Sequence, residues 1–325
     1  MVQAVNSALD NMLSKDEDVL VFGEDVGYFG GVFRTTDGLQ EKHGAHRVFD
    51  TPLSEGGIAA IAFGMGLNGL KPVCEIQFAD YIFPAYDQIV NEIAKLRHRS
   101  GGEFWTPITI RTPAGGGIRG GHHHSQSPES QFTHTPGLKV VYSSTPYNAK
   151  GLLISAIESE DPVIVFEPKR CYRGPFYGDP HKVPTWSGHA EAEVPDVHYT
   201  VPIGEARLVN EGNDCTVIAW GTMVHVCEEG IRQSGASCDL IDLQSLIPWD
   251  REAVVRSVKK TGRCVIVHEA PKTSGYGAEM AASVQERCFW SLEAPVTRVT
   301  GWDTPFPHTT DCLLYTSPSP RDCRL

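Results

Sequence analysis

Residues 51–76, TPLSEGGIAAIAFGMGLNGLKPVCEI, set the fold class of this chain. The long apolar and glycine-rich run at Gly56–Leu67 has the length of a helix, and the shorter apolar run at Pro72–Ile76 has the length of a strand. An Asn-Gly turn signal separates the two runs. A helix that feeds directly into a short apolar strand is the repeating unit of a parallel sheet covered by helices.

The same alternation extends outward from this stretch, from Asp18 to about Lys169. The N-terminal residues before it form an amphipathic pattern with the spacing of a helix. Short apolar runs alternate with longer helical patterns, and the connections have the length of right-handed crossovers. The further predicted strands are Val19–Phe22, Pro107–Arg111, Leu138–Val141 and Val163–Glu167, and the further helices are Pro84–Arg99 and Tyr147–Ile157.

A second α/β unit follows a stretch rich in Gly, Pro, His and aromatic residues, which we interpret as an extended linker. Four strands and three helices in about 90 residues predict a compact doubly wound domain. Its predicted strands are Cys215–Ala219, Cys238–Asp242, Cys264–His268 and Val296–Val299, and its predicted helices are Met223–Gln233, Trp249–Lys259 and Ala278–Phe289.

The sequence therefore predicts an α/β protein of two doubly wound domains, at 1–185 and 205–308, joined by a linker at 186–204. The tail at 309–325, TTDCLLYTSPSPRDCRL, loses all periodicity. It is either a disordered tail or sequence foreign to this gene, and we favour the second interpretation because it resembles tails produced by library adapters.

Composition excludes several classes of partner. The chain of 325 residues has 41% apolar residues and a formal charge of −12, without a Lys/Arg cluster. We therefore expect no nucleic-acid partner and no anionic membrane surface, because both need concentrated positive potential. Nine scattered cysteines without a C-x-x-C pair indicate reduced thiols in an intracellular protein. No run reaches the length of a membrane span, and no signal or transit segment begins the chain. A bacterial cytoplasm fits best, or a mitochondrial matrix if a presequence is missing.

Glu55 is the first candidate for chemistry. It lies where a turn meets the apolar helix, so one interpretation is a first-turn glutamate stabilised by the helix dipole. The other is a carboxylate in a dry pocket against a nitrogen heterocycle, where desolvation raises its pKa enough for proton sharing. The aromatic run that follows the next strand, at 75–84, adds Gln77 and Tyr81, whose polar groups a buried site has to satisfy.

The least ordinary stretch is Gly115–Glu129, a glycine-rich loop with three adjacent histidines directly after a strand. Consecutive side chains of a loop diverge, so an imidazole that donates or accepts protons is favoured over a metal site. Arg119 in this loop could receive a carboxylate. No phosphate-binding glycine motif opens a helix in the first unit, so phosphate binding by this chain alone is poorly supported.

Eight motifs in order give the sequence a specific resemblance, which covers residues 1–308 of 325. It resembles the beta subunits of the branched-chain 2-oxoacid dehydrogenase decarboxylase component. The related pyruvate and acetoin enzymes share the same arrangement of motifs. The motifs are GEDVG…GGVFR, RVFDTPLSEGGI, EIQFADYIFPAYDQIVNE, HSQSPE, KGLL-SAIE--DPVI-FEPK, LIDLQSLIPWD, KTGRCVIVHEAP and GWDTPFPH.

The resemblance implies a transketolase-like pyrimidine-binding domain and a transketolase C-terminal-like domain in an α2β2 heterotetramer. Thiamine diphosphate would lie at each alpha/beta interface, with its diphosphate and Mg²⁺ bound by the alpha subunit. Glu55 would hydrogen-bond the pyrimidine ring, Gln77, Tyr81 and Leu53 would line its pocket, and His124 would assist acyl transfer to lipoamide. His122 and His123 receive no role.

The resemblance also implies further partners and a possible K⁺ site. The second domain would dock the lipoyl-bearing acyltransferase core, and the substrate would be a 2-oxoacid such as 2-oxoisovalerate. A pyruvate or acetoin dehydrogenase subunit and a noncatalytic α/β scaffold are the alternatives. Ser159 departs from the acidic residue of relatives, which puts K⁺ occupancy in doubt. The six K⁺ positions map to Thr106, Ile108, Thr109, Ala156, Ser159 and Asp161.

Overall fold

A computed structural model describes residues 1–118, 120–172 and 192–306 of the chain. The fold is α/β, with two sheets flanked by helices. The helices are α1 Val2–Lys15, α2 Leu39–His43, α3 Glu55–Leu67, α4 Leu96–Arg99, α5 Glu129–Thr133, α6 Pro146–Ile157, α7 Lys169–Tyr172, α8 Thr222–Ser234, α9 Arg251–Thr261 and α10 Tyr276–Cys288. The strands are β1 Val19–Gly23, β2 Val48–Asp50, β3 Lys71–Glu75, β4 Thr109–Ala114, β5 Lys139–Tyr142, β6 Val163–Pro168, β7 Arg207–Asn210, β8 Cys215–Ala219, β9 Cys238–Asp242, β10 Ser245–Ile247, β11 Cys264–Pro271 and β12 Thr297–Gly301.

The first sheet has seven strands in the order β10-β5-β6-β4-β3-β1-β2. All pairs are parallel except the one between β10 and β5. Strands β1, β4 and β6 are buried along their whole length, as expected when helices cover both faces of a parallel sheet. Two apolar clusters, one on each face, account for most of this burial.

The second sheet has five strands in the order β12-β11-β8-β9-β7. Its four predicted strands are present and parallel, while β7 adds an antiparallel edge. The edge strand alternates between half-buried and exposed residues, so it lacks the continuous apolar run that marks the others. The sequence pattern does not predict this strand for that reason.

Strand β10 follows the second domain's β9 in the chain but pairs with β5 of the first domain. The Tyr142 N–H donates to the Gln244 carbonyl at 2.8 Å, and Gln244 has a φ of 55°. The chain thus turns sharply out of one sheet and adds an edge to the other. The two domains therefore share a sheet edge.

The prediction of one continuous helix at Pro84–Arg99 was wrong in detail. The segment comprises a 3-10 turn at Phe83–Ala85, a π-helix at Gln88–Ile93 and the short helix α4. Pro84 has no N–H to donate, which favours a separate first turn. A π turn adds one residue per hydrogen bond, and a spacing of 3.6 residues does not reveal it. Among the described residues, no helix has the length and apolar character of a membrane span.

Candidate active site

The carboxyl ends of β1 and β3 bring acidic and amide side chains together, as open α/β sheets do for ligands. Glu24 and Asp25 follow β1, and Gln77 follows β3; the Gln77 amide donates to Asp25 Oδ2 at 3.1 Å. Burial raises the pKa of Glu24, and the charge of Glu55 raises it further. Glu24 Oε1 is buried without a hydrogen-bond partner among the described residues. This edge of the sheet thus has an unsatisfied acceptor next to Glu55.

Glu55 is the first residue of α3 and is half-buried. Its position on the first turn lets the helix dipole stabilise the carboxylate. The next residue, Gly56, lies close to the segment after Tyr81, since a Cβ at Gly56 would be 3.1 Å from the Pro84 carbonyl oxygen. A side chain at residue 56 would be in tight contact with this segment and would push the two apart by a few tenths of an ångström.

An aromatic cluster is built from residues that follow Gln77 in the chain and from His124. The His124 ring meets the Phe78 ring edge to face, with centroids 4.5 Å apart. His124 Nε2 lies 3.4 Å from the Tyr81 hydroxyl, and Tyr81 is half-buried. Edge contacts and one polar contact therefore orient the imidazole toward Tyr81.

The loop that carries His124 is held at its end by Asp80. Asp80 Oδ1 accepts hydrogen bonds from the backbone N–H groups of Ser125 and Gln126, each at 3.1 Å. Within the loop, His124 Nδ1 lies 3.2 Å from the Gly120 carbonyl oxygen. His124 thus has one ring nitrogen toward a carbonyl oxygen and the other toward a hydroxyl.

The structure brings most of the predicted site residues to one edge of the first sheet. Glu55 lies near Glu24, Gln77 contacts the neighbouring Asp25, and Tyr81 contacts His124. Leu53 differs, because it is 81% exposed among the described residues. Among the described residues, no group of three or more His, Cys, Asp or Glu could hold a metal ion. Arg119 lies outside the described residues.

Comparison with known proteins places this chain in a family. The sequence model of the transketolase pyrimidine binding domain matches residues 1–175, and that of the transketolase C-terminal domain matches residues 204–322. The chain is 56% identical over 320 residues to the 2-oxoisovalerate dehydrogenase subunit beta of Pseudomonas aeruginosa, covering 98% of this chain and 91% of the relative. The chain belongs to the 2-oxoisovalerate dehydrogenase beta-subunit family.

Other relatives match a slightly smaller share of this chain. The mitochondrial 2-oxoisovalerate dehydrogenase subunit beta of Dictyostelium discoideum is 56% identical over 94% of this chain and 80% of its own length. The pyruvate dehydrogenase E1 component subunit beta of Acholeplasma laidlawii is 46% identical over 94% of this chain and 90% of its own length. A solved structure described as split gene transketolase, inactive beta4 tetramer, has a TM-score of 0.73 at 22% identity and covers 98% of this chain and 94% of its own; it supports the fold alone.

Behind the site of this beta-subunit family member lies a buried ion network that sequence analysis missed. The Arg111 guanidinium pairs with Glu75 on one side and with Glu167 on the other, where the Nε and Nη2 distances are 2.9 and 2.8 Å. The Tyr172 hydroxyl donates to Glu167. All four side chains are nearly inaccessible to solvent. Charged residues inside strand runs were the available signal, because such residues are buried only when they are paired.

The predicted K⁺ positions of this family member lie at one end of β4 and α6. The Thr109 hydroxyl is buried without a hydrogen-bond partner among the described residues, so it has a free acceptor. The Asp161 carboxylate is occupied by Arg97 at 2.5 Å and Lys139 at 3.1 Å. Lys139 also donates to the Ser159 hydroxyl at 3.0 Å. The oxygen donors suit an alkali cation, whereas the two neighbouring cations oppose it.

Proposed function

We propose that this chain is the beta subunit of a thiamine-diphosphate-dependent dehydrogenase that decarboxylates branched-chain 2-oxoacids of the 2-oxoisovalerate type. The acyl group would pass to lipoamide of an acyltransferase core, and the enzyme would be an α2β2 heterotetramer with a separate alpha subunit. The observation that carries the proposal is Glu55 at the start of α3, beside the buried and unsatisfied Glu24. The names of the relatives support the substrate class.

The residues present suit the aminopyrimidine half of the cofactor. A half-buried carboxyl and an unpartnered buried acceptor suit a ring that carries N–H groups, and Tyr81 and Phe78 offer ring faces and edges. Bound thiamine diphosphate supplies the nucleophilic carbon and accepts the electrons released with CO₂. Mg²⁺ and the diphosphate would be held by the alpha subunit, and Leu53 would be covered at that boundary.

Each site residue of this chain then has a limited task. Glu55 would hold a proton against a pyrimidine ring nitrogen, Gln77 would keep Asp25 fixed, and the aromatic rings would exclude water. His124 would hold or supply a proton for acyl transfer, because its ring lies between a carbonyl and a hydroxyl. K⁺ binding at the six predicted positions remains a proposal, supported by the free Thr109 hydroxyl.

The proposal is tested with Glu55→Gln in a complex with a cognate alpha chain. We expect decarboxylation of 2-oxoisovalerate to fall by about 100-fold or more, the scale of removing one transition-state contact. The control is Glu41→Gln, which removes an exposed first-turn carboxylate from α2. Near-normal turnover of Glu55→Gln would refute the assigned role, and calorimetry that detects no thiamine diphosphate binding by the wild-type complex would favour a noncatalytic scaffold.

The second candidate function is a pyruvate dehydrogenase beta subunit. It is favoured by the relatives of that name at 46% identity. The side chains of the two substrates differ by two carbons, and one methylene changes discrimination by about 1–3 kcal/mol, so kinetics can separate the two candidates. The ratio of kcat/KM for 2-oxoisovalerate and pyruvate distinguishes the two candidates.

A further inference from the structure

The loop that carries His124 runs from Gly115 to Gln126 and is closed at its base. The Gly115 N–H donates to the Gln126 carbonyl at 2.9 Å. His124 has its own contacts to Gly120 and Tyr81, at 3.2 and 3.4 Å. These two contacts orient the ring only while the loop backbone keeps its path. The groups that fix the loop base are therefore part of the site's geometry.

The beginning of the loop is held by the second domain. Glu269 lies in β11, and its Oε1 accepts a hydrogen bond from the Gly116 N–H at 2.7 Å. A Cβ at Gly115 would lie 2.5 Å from Glu269 Oε2, so the carboxylate sits directly against the loop backbone. Phe306 also packs against the loop start, since a Cβ at Gly116 would lie 2.6 Å from its ring. A side chain at either glycine would displace this contact.

The end of the loop is held by the first domain, through Asp80 and the two backbone amides described above. A fully buried lysine, Lys169, interacts electrostatically with both Asp80 and Glu269. Its ammonium also donates to the Pro113 carbonyl, one residue before β4 ends, at 3.2 Å. The two carboxylates that fix the loop thus come from different domains and share one buried cation.

We infer that Glu269 is a positioning residue for His124, so that the second domain helps to build the site by fixing the start of the histidine loop. The consequence for acyl transfer rests on the proposed function. The hydrogen bond from the Gly116 N–H to Glu269, which we call the tether, does not. A backbone N–H requires an acceptor at the right distance and does not require a negative charge. The reach of the side chain at position 269 is therefore what matters.

Two substitutions separate reach from charge. Glu269→Gln keeps an acceptor oxygen at the same distance and loses the charge, whereas Glu269→Asp keeps the charge and withdraws the oxygens by one methylene. In hydrogen–deuterium exchange of the full chain, we expect residues 115–126 to exchange about tenfold faster in Glu269→Asp, the scale of losing one hydrogen bond. Glu269→Gln should stay within about twofold of wild type. Glu293→Asp and Glu293→Gln, at an exposed glutamate of the same domain, are the controls.

The catalytic consequence is measured in the complex with an alpha chain. We expect Glu269→Asp to reduce acyl transfer to lipoamide by about tenfold and to leave KM for the 2-oxoacid and decarboxylation with an artificial electron acceptor unchanged. Glu269→Gln should keep all three. If the wild-type complex decarboxylates no 2-oxoacid, the proposed function fails, but the exchange result still decides the tether.

Three results would overturn the inference. The first is equal loop exchange in Glu269→Asp, Glu269→Gln and wild type, and the second is a larger effect of Gln than of Asp, which would indicate a role of charge. The third result is measured on wild type, so it does not depend on whether a variant folds. An unprotected Gly116 amide, with Ser125 and Gln126 protected, would show that the second domain does not hold the loop.

Discussion

Glu129 is a buried carboxyl group with a single side-chain donor. The Trp220 indole N–H donates to its Oε1 at 3.2 Å, and its Oε2 has no hydrogen-bond partner in the described part of the chain. Burial raises the pKa of Glu129 to about 7, and the charge of Glu269 adds to that effect. The folded protein therefore binds a proton here at pH values where the unfolded chain has released it.

This shift has a predictable effect on stability. Because the folded pKa lies above the usual 4.5, the stability contributed by Glu129 is full at low pH and is lost as pH rises through about 7. We expect the free energy of unfolding of wild type to fall relative to Glu129→Gln between about pH 4.5 and 7, by up to roughly 3 kcal/mol. Urea unfolding at several pH values measures the difference. The exposed control Glu286→Gln should show no such trend, and a constant difference for Glu129→Gln would disprove the shift.

Single residues differ in how far the sequence could predict their roles. Glu55 and His124 stand in motifs with a recognised order, so their candidacy was visible. Asp80 and Glu269 were not assigned a role, although each is a charged residue beside apolar neighbours in the chain. Their partners, the amides of a loop 45 to 153 positions away in sequence, depend on the tertiary fold. Local pattern can therefore flag such a residue but cannot name its partner.

At the level of elements, the adjacent strands β3, β4 and β6 are joined by the Arg111 network. Glu75 is directly opposite Arg111 in the sheet register, and Glu167 reaches Arg111 from β6. Arg111→Met would leave two buried carboxylates without their cation. We expect a loss of about 3–5 kcal/mol in the free energy of unfolding, because breaking a buried pair strands a charge.

The control for that substitution is Arg97→Met on α4. Arg97 pairs with Asp161 but is 45% exposed, so its loss should cost much less than the loss of Arg111. Chemical denaturation of both variants gives the comparison. Equal costs for the two would show that burial does not set the strength of the Arg111 network.

Elements with a strong period were predicted well, and irregular ones were not. Strands β8 and β9 have the predicted limits, and helices α3 and α6 begin one residue before theirs. Strand β10 was missed because it has three residues and pairs with a strand about 105 positions earlier, after a left-handed residue at Gln244. The π-helix at Gln88–Ile93 was missed because it keeps the apolar spacing of an ordinary helix.

At the scale of the whole molecule, the domains are joined through more than the chain. Strand β10 extends the first sheet, and buried Asp242 of β9 accepts from the Ser144 hydroxyl at 2.5 Å. Trp220 of the second domain reaches Glu129 of the first, as Glu269 reaches Gly116. Breaking any of these contacts exposes buried polar groups of both domains, which is costly. The domains should therefore unfold together.

Gly221 tests this cooperativity. It follows β8 by two residues with a φ of 55°, and a Cβ there would lie 2.2 Å from the Tyr142 ring of the first domain. In native-state hydrogen exchange of wild type, the β6 and β8 amides should share one denaturant midpoint. We expect Gly221→Ala to separate the domains, so that the two sets of amides acquire different midpoints. Gly235→Ala is the control, because its φ is 69° but a Cβ there meets no atom within 4 Å. It should cost about 1–2 kcal/mol of backbone strain and keep one midpoint. Separate midpoints already in wild type would show that the shared sheet edge does not couple the two domains.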